Sequence, residues 1–264
     1  MQLIWKRFSL TLAFVAAVAV SMIAQAQKDY TPSVGQEGKD VIWVPTPESL
    51  VQKMLDMAKL TPSDVHFDLG SGDGRTVIAA AKRGTKAIGV EYNPDMVELS
   101  KRMAQKEGVT ARAEFIRGDI FQTDFSKANV LTLYLLPSLN LKLRPTILNM
   151  QPGTRVVSHA FTMGEWEADQ TETVEGRTAY LWIVPAKVDG NWRIEGAGDL
   201  ALKQIFQKVE GSIGGKPITS ATLRGDTITF AADSREYSGR VSGDRMEGTV
   251  KGSTSGKWSA VRAK

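Results

Sequence analysis

Strand-like and helix-like patterns alternate along the middle of this chain, and this alternation constrains its fold more than any other feature. The apolar runs "VHFDL" (65–69) and "KAIGV" (86–90) flank a helical pattern, "GRTVIAAAKRG" (74–84). Further strand-like runs follow in "AEFIR", "NVLTLYLL" and "TRVVSHAF". Strands joined through helices form parallel sheets with right-handed crossovers. The sequence therefore predicts a doubly wound α/β domain with helices on both faces of its sheet.

Two dipeptides carry the signal of a helix start. Thr46-Pro47 and Asn93-Pro94 each place a capping residue before a proline at the first helical position. Apolar residues recur at helical spacing after the first pair, in "SLVQKMLDMA". We therefore expect Thr46 to cap one helix and Asn93 another.

The turn between the first strand and the helix after it contains Gly70, Gly72 and Gly74. Glycines at such a turn let backbone N–H groups and a helix amino end approach a polar ligand. The spacing differs from the G-x-G-x-x-G of dinucleotide-binding folds, and Asp73 places a carboxylate where a pyrophosphate would bind. The loop therefore favours a ligand without a diphosphate.

Three acids follow or end successive predicted strands. Asp68 precedes the glycine turn, Glu91 ends the second strand, and Asp119 follows the third. Glu91 lies about 20 residues after the loop, the spacing of an acid that accepts hydrogen bonds from ribose hydroxyls. Because the carboxyl ends of parallel strands open into one crevice, we expect all three carboxylates to line it.

The stretch Asp68 to Gly74 resembles motif I of the class I S-adenosylmethionine-dependent methyltransferases. That cofactor carries a sulfonium and an ammonium instead of phosphates, which suits these carboxylates. The resemblance implies a seven-stranded Rossmann-like sheet and an adenine amino group on Asp119, with Ile120 beside it over the adenine face. Thr46 reaches the methionine end of the cofactor if the first helix folds over the site; its helix-capping role is the alternative. The predicted cofactor-binding residues are Asp68, Gly70, Ser71, Gly72, Asp73, Gly74, Glu91, Asp119, Ile120 and Thr46.

A narrower resemblance covers residues 41–185. The phrases "DLGSGDGRTVIAAAKRG", "GVEYNPDMVELSK", "RGDIF" and "YLLPSLNLKLRP" resemble lysine methyltransferases that modify the ATP synthase c subunit and the adenine nucleotide translocator. This implies methyl transfer to an amine, with a protein lysine as the acceptor. Nucleobase-amine methyltransferases carry Asn-Pro-Pro-aromatic where this chain has Tyr134-Leu135-Leu136-Pro137, so we expect no nucleic-acid substrate. Tyr134 is the candidate catalytic residue that orients the amine; its alternative role is a core aromatic.

The remaining titratable residues add little to the predicted site. His66 lies inside the first strand and is expected in the core, whereas His159 approaches the active rim. The chain has no cysteine, which excludes disulfides and thiol catalysis, and no residues have metal-ligand spacing. The formal charge is +4, and no dense run of Lys and Arg indicates a nucleic-acid partner. The sequence does not indicate an oligomeric state.

The amino terminus has the outline of a secretory signal. Lys6 and Arg7 precede an apolar run over 8–23, and Ala24-Gln25-Ala26 supplies small residues for cleavage near Ala26. Residues 1–26 are therefore predicted to be a cleaved signal peptide, leaving an exported, periplasmic protein with no stable membrane span. The alternative is a cytoplasmic domain, either anchored by this segment or started at Met22.

Export conflicts with the predicted cofactor, because S-adenosylmethionine is a cytoplasmic metabolite. An alternative function therefore stays open: an exported, non-catalytic protein that binds S-adenosylmethionine or another nucleoside, or an envelope interaction module.

Composition divides the rest of the chain. Residues 27–40 read as an extended lead-in, and residues 41–196 as the methyltransferase domain. From about Gly198 the sequence becomes rich in Gly, Ser and Thr, with turn signals between short alternating runs. Residues 197–264 are therefore predicted to form a small antiparallel all-β domain, as a meander, a sandwich or a partly closed barrel.

Overall fold

The computed structural model describes residues 30–253 and 255–263, so the predicted signal peptide lies outside the described residues. The first sheet contains β1 (Val65–Leu69), β2 (Lys86–Glu91), β3 (Ala113–Arg117), β4 (Val130–Leu133), β5 (Arg155–His159), β6 (Gln170–Val174) and β7 (Arg177–Ile183). The helices that accompany it are α1 (Glu48–Met57), α2 (Arg75–Lys82), α3 (Pro94–Lys106) and α4 (Pro137–Ile147). None of the helices in the described part of the chain is long and apolar enough to span a bilayer.

The first sheet has seven strands in the order β3-β2-β1-β4-β5-β7-β6. Strands β1 to β5 pair in parallel, and β7 pairs antiparallel with both β5 and β6. The seven-stranded, doubly wound sheet is confirmed, and β6 and β7 form a hairpin at its edge. The strand order reverses between β1 and β4, and the glycine turn after β1 opens at this switch point.

Helices cover both faces of this sheet, because successive side chains of a strand point to opposite faces. On one face, Leu69 and Leu133 pack in a core with Leu143 and Ile147 of α4. On the other face, α1 packs on Val130 and Val157, and its remaining apolar positions contact α2. This second face also carries His66 and Asp68, so these polar side chains are buried beneath helices.

One of the two predicted helix caps is present and the other is not. The Asn93 side chain accepts hydrogen bonds from Asp95 N and Met96 N at the start of α3. At α1 the capping position is Pro47, with no side-chain cap, so the Thr46 prediction is wrong. The Thr46 hydroxyl lies instead 3.1 Å from Nδ1 of His159. A long-range contact has replaced the local one.

The second sheet is antiparallel and has nine strands in the order β11-β10-β9-β8-β16-β15-β14-β13-β12. Its strands are β8 (Gly190–Ile194), β9 (Gly198–Ile205), β10 (Lys208–Ile213), β11 (Lys216–Pro217), β12 (Thr219–Arg224), β13 (Thr227–Ala232), β14 (Arg235–Ser242), β15 (Arg245–Gly252) and β16 (Gly256–Arg262). Strands β10 and β12 approach each other at the open edges, where Ile218 N donates to Gly211 O. The sheet is therefore a nearly closed barrel.

Strand β8 pairs with β9 and with β16, near the end of the chain. The composition shift placed this strand with the first domain, ending at residue 196. Its pairing places it in the second sheet, so the change of sheet falls between Ile183 and Gly190.

The barrel packs against the first sheet through two turns. The turn after β12 contacts the loop before β5, where a Cβ on Gly225 would lie 3.0 Å from Gly153 Cα. The turn after β9 places Phe206 against Trp166, with ring centroids 6.1 Å apart. Trp166 in turn accepts a hydrogen bond at its carbonyl from Nε1 of buried Trp182. The barrel thus completes the core on the α4 face.

Candidate functional site

Conformation and space both require glycine in the turn after β1. Gly70, Gly72 and Gly74 have φ angles of +79°, +54° and +79°, which residues with a Cβ rarely adopt. A Cβ on Gly72 would lie 2.6 Å from Nε1 of Trp43, and one on Gly74 would lie 2.6 Å from Cε1 of Phe115. No side chain therefore fits at Gly72 or Gly74.

Glu91 links the turn to the end of β2. One of its carboxylate oxygens accepts from Gly72 N and the other from Asn93 N, both at 2.9 Å. Burial raises the pKa of Glu91, and these backbone donors oppose that rise. Each oxygen keeps a second lone pair, so the carboxylate can accept further hydrogen bonds from a ligand.

Asp73 is not a free acid of the crevice. Nη2 and Nε of Arg75 donate to its carboxylate at 2.6 Å and 3.0 Å, and Nη1 donates to Thr46 O at 3.1 Å. Arg75 therefore joins the glycine turn to the start of α1 and balances the charge of Asp73. No sequence pattern indicated this role for Arg75.

Asp68 lies beneath the turn, with 7% of its surface exposed. Thr132 Oγ1 donates to its Oδ1 at 2.6 Å. Burial raises the pKa of Asp68 to about 7, with smaller upward contributions from the charges of Asp73 and Glu91. The cleft thus contains a carboxyl group that titrates near neutrality.

Asp119 lies at the opposite end of the cleft, after β3. Its Oδ1 accepts from Phe121 N at 2.9 Å, and its Oδ2 lies 3.2 Å from Nζ of Lys39. The Phe121 amide and, to a lesser extent, Lys39 lower the pKa of Asp119. Ile120 lines the cleft beside it.

Residues 36–46, which we call the strap, cross the same cleft. Backbone hydrogen bonds from Gly35 N to Trp43 O (2.8 Å) and from Trp43 N to Gln36 O (2.9 Å) fold the segment back on itself. Trp43 then packs on Gly72, while Lys39 reaches Asp119. Composition predicts an extended lead-in over residues 27–40 and does not indicate that this segment crosses the cleft. A tryptophan after a polar segment was the one signal that pointed to it.

Tyr134 follows β4 at the end of the cleft remote from Asp119. Its ring stacks on that of His159 with centroids 3.8 Å apart, and on Phe161 at 6.1 Å. Burial, together with the charge of Arg177, lowers the pKa of His159 to about 4. His159 is therefore a neutral imidazole at physiological pH, held between Tyr134 and Thr46.

The cleft has a volume of about 1030 Å³, including the part open to solvent. Nine predicted cofactor residues and the predicted catalytic residue line it: Asp68, Gly70, Ser71, Gly72, Asp73, Glu91, Asp119, Ile120, Thr46 and Tyr134. Gly74 is the exception, because it faces Phe115 and Ser100 behind the turn. The strap and Met96 also line the cleft but were not predicted.

The chemistry of this lining fits a cationic sulfur nucleoside. Carboxylates at Asp68, Glu91 and Asp119 can accept from ammonium, ribose and adenine donors in that order along the cleft. The one arginine on the glycine turn is already paired with Asp73, which leaves little positive charge to hold a diphosphate. S-adenosylmethionine therefore fits the residues present better than a dinucleotide does.

Comparison with known proteins agrees with this fit. The family described as "ANTKMT methyltransferase domain" matches residues 68–170. A protein-lysine N-methyltransferase of Saccharolobus islandicus is 41% identical over 151 residues, which cover 54% of this chain and 94% of that protein. The lysine N-methyltransferase of the ATP synthase c-subunit from Homo sapiens is 30% identical, over 63% of this chain and 70% of its own length.

One solved structure is also similar over most of its length. A Salinibacter ruber protein described as an RNA methyltransferase, in complex with S-adenosyl-L-homocysteine, is 48% identical with a TM-score of 0.54. The match covers 55% of this chain and 96% of that one. The family match runs from the end of β1, through the glycine turn, to the start of β6. The chain therefore belongs to the class I S-adenosylmethionine-dependent methyltransferases, in the group that includes the lysine N-methyltransferases of the ATP synthase c-subunit.

Proposed function

We propose that this protein transfers a methyl group from S-adenosylmethionine to the side-chain amine of a lysine in a protein. One observation carries the proposal: a single cleft joins a carboxylate-lined glycine turn to an aromatic end at Tyr134, whose ring stacks on the buried imidazole of His159. The names of the Saccharolobus and human relatives support a protein lysine as the acceptor.

The chain's own residues divide the task of holding the cofactor, which supplies an electrophilic methyl group when bound. Glu91 is placed to accept hydrogen bonds from ribose hydroxyls, and Asp119 to accept from the adenine amino group. Ile120 covers the adenine face. Lys39 and Asp119 form an ion pair across this position, so the strap must adjust when adenine binds.

Lysine presents a specific difficulty as an acceptor. Its ordinary pKa near 10.4 leaves about three units, or roughly 4 kcal/mol, before the free amine is available at neutral pH. The Tyr134 ring at the acceptor end, stacked on the neutral imidazole of His159, would lower the pKa of a bound lysine by desolvating its ammonium form. The Tyr134 hydroxyl can then accept from or donate to the amine and fix the direction of its lone pair.

The cofactor assignment is tested by calorimetric titration of S-adenosylmethionine into Glu91→Ala and Asp119→Ala variants. Each variant removes hydrogen bonds from a charged acceptor, and we expect affinity to fall about tenfold or more. Asp124→Ala is the matched control, because Asp124 is an exposed acid near Asp119 that does not line the cleft. Unchanged affinity in both cleft variants would remove the assignment.

The acceptor is tested with methyl-labelled cofactor and separated protein and RNA fractions of the source cell. Label on lysine residues of a protein, located by mass spectrometry, is the expected result. The RNA fraction is included because the Salinibacter ruber relative is described as an RNA methyltransferase. Label in RNA would replace the proposed acceptor, whereas cofactor binding without transfer would support the non-catalytic alternative.

We also propose that residues 1–26 export the protein to the periplasm. The charged start, apolar run and small residues before Gln27 support this proposal. A reporter that is active only outside the cytoplasm, fused after residue 30, should give signal. A silent reporter, with a cytoplasmic reporter active at the same position, would place the domain inside.

A further inference from the structure

A chain of three buried polar side chains lies beneath the glycine turn. Nε2 of His66 is 2.8 Å from Oγ1 of Thr132, and that hydroxyl is 2.6 Å from Oδ1 of Asp68. His66 and Thr132 are 0% exposed and Asp68 is 7% exposed. Only the Asp68 end reaches the cleft. The chain therefore connects the interior of the sheet to the cofactor site.

The direction of the hydrogen bonds depends on the charge of Asp68. Thr132 has one hydroxyl hydrogen; if it is donated to a carboxylate, His66 must donate its Nε2–H to Thr132. Nδ1 of His66 then carries no hydrogen, and it has no partner among residues 30–253 and 255–263. If a protonated Asp68 donated through Oδ1 to Thr132, the chain would reverse and His66 would bury an Nδ1–H donor without an acceptor, an arrangement that folded proteins avoid.

The other groups facing this chain are few. Asp73 and Glu91 act on Asp68 through their negative charges, and Thr76 at the start of α2 donates to it. Arg75 neutralises Asp73. At the far end, Asp64 acts on His66, and Arg155 pairs with Asp64. Burial lowers the pKa of His66 to about 3, so the imidazole stays neutral and its tautomer alone changes.

We propose that His66, acting through Thr132, is a positioning residue that holds Asp68 as a carboxylate towards the cationic end of the cofactor. The inference rests on the proposed function, because it takes S-adenosylmethionine as the ligand. It also makes cofactor binding release a proton. The free protein carries Asp68 partly protonated near pH 7, and the bound cofactor requires the carboxylate.

The sign of the pH dependence follows from these states. The pKa of Asp68 is raised to about 7 in the free protein, so lowering the pH protonates Asp68 and opposes cofactor binding. Below pH 7, where the ammonium of the cofactor stays protonated, we expect the affinity to fall by up to about tenfold per pH unit. Removing a donor from the chain should move this transition to higher pH.

The test is calorimetric titration of S-adenosylmethionine into the full chain at several pH values between 6 and 9. Repeating each titration in buffers with different ionisation enthalpies gives the number of protons released. In Thr132→Val, which keeps the side-chain shape, the transition should rise by about one pH unit. Affinity below the transition should then be about tenfold lower than in the wild type. In His66→Phe the transition should also move to higher pH, with affinity below the transition about threefold lower than in the wild type.

Two controls separate a positioning role from damage to the core. Thr132→Ser restores the hydroxyl and should restore the wild-type transition. Adenosine, which lacks the amino-acid part of the cofactor, should bind Thr132→Val and His66→Phe with the same affinity as the wild type. An unchanged transition in His66→Phe would overturn the role of His66. Failure of the wild type to bind S-adenosylmethionine at any pH would instead overturn the proposed function.

Discussion

Asp68 is the residue at which burial most strongly disfavours a charge that the proposed cofactor site needs. Its carboxyl group is buried beneath the turn that must face the cofactor, and its pKa rises to about 7 as a result. The pKa of an unfolded aspartate is close to 3.9. In the free protein Asp68 therefore adds stability below that value, and this contribution is lost as the pH rises through about 7.

Asp68→Asn should remove the loss of stability that ionisation of Asp68 causes as the pH rises, because asparagine does not titrate. Relative to the wild type, the free energy of unfolding of the variant should increase by up to about 4 kcal/mol between pH 4 and pH 8. Urea unfolding of the cofactor-free protein at both pH values measures the difference. An equal difference at the two values would contradict the raised pKa of Asp68.

The Tyr134 hydroxyl can be separated from its ring. Tyr134→Phe keeps the stack on His159 and Phe161 but removes the group proposed to orient the amine. We expect kcat to fall about tenfold with cofactor affinity unchanged. In Tyr134→Leu, which also loses the stack, kcat should fall further. Full activity of Tyr134→Phe would assign Tyr134 to packing alone.

At the scale of elements, sequence patterns predicted contacts between neighbouring residues, but they did not predict contacts between residues far apart in the chain. The Asn93 side chain caps α3 through amides only two and three residues away, so the local sequence was enough to predict this cap. Thr46 has the same signature, yet its hydroxyl bonds His159, 113 residues further on. Strand β8 pairs with β16 at the end of the chain, which composition could not show.

The strap is the element that sequence patterns missed most completely. Its fold depends on two backbone hydrogen bonds, and its position depends on Gly72 and Asp119, which belong to other elements. The strand-end acids, by contrast, were predictable, because parallel strands bring their carboxyl ends to one edge whatever the loops do.

Lys39→Met should therefore tighten cofactor binding. The substitution removes a partly exposed cation that pairs with Asp119, and such ion pairs are weak, so we expect a gain of about two- to fivefold. Calorimetric titration measures it. Lys106→Met, at the exposed end of α3, is the control and should leave affinity unchanged. Weaker binding in Lys39→Met would mean that Lys39 contacts the cofactor itself.

For the whole molecule, the two sheets share packing. Phe206 of the barrel contacts Trp166, and the Arg144 guanidinium on α4 lies 5.3 Å from the Phe206 ring centroid. The glycine-rich composition predicted an all-β domain, but no pattern indicated where that domain would attach, because the contacts join residues far apart in sequence.

Phe206→Ala should lower the free energy of unfolding by about 1 to 2 kcal/mol, less than a fully buried phenylalanine would. Thermal and urea unfolding measure the change. The neighbouring Ile205 is 69% exposed, so Ile205→Ala is the matched control and should be nearly neutral. Equal stability of the two variants would mean that the barrel contributes nothing through this contact.

The segment that joins the sheets has a consequence for proteases. Val184, Ala186 and Val188 are at most 2% exposed, and Ala186 N donates to Gly225 O at 2.8 Å. A protease needs several consecutive residues in an extended, accessible strand, which this connection does not offer in the native state. Mild digestion should therefore fail to release the barrel as a separate fragment, and cleavage at this segment should appear only when the protein unfolds.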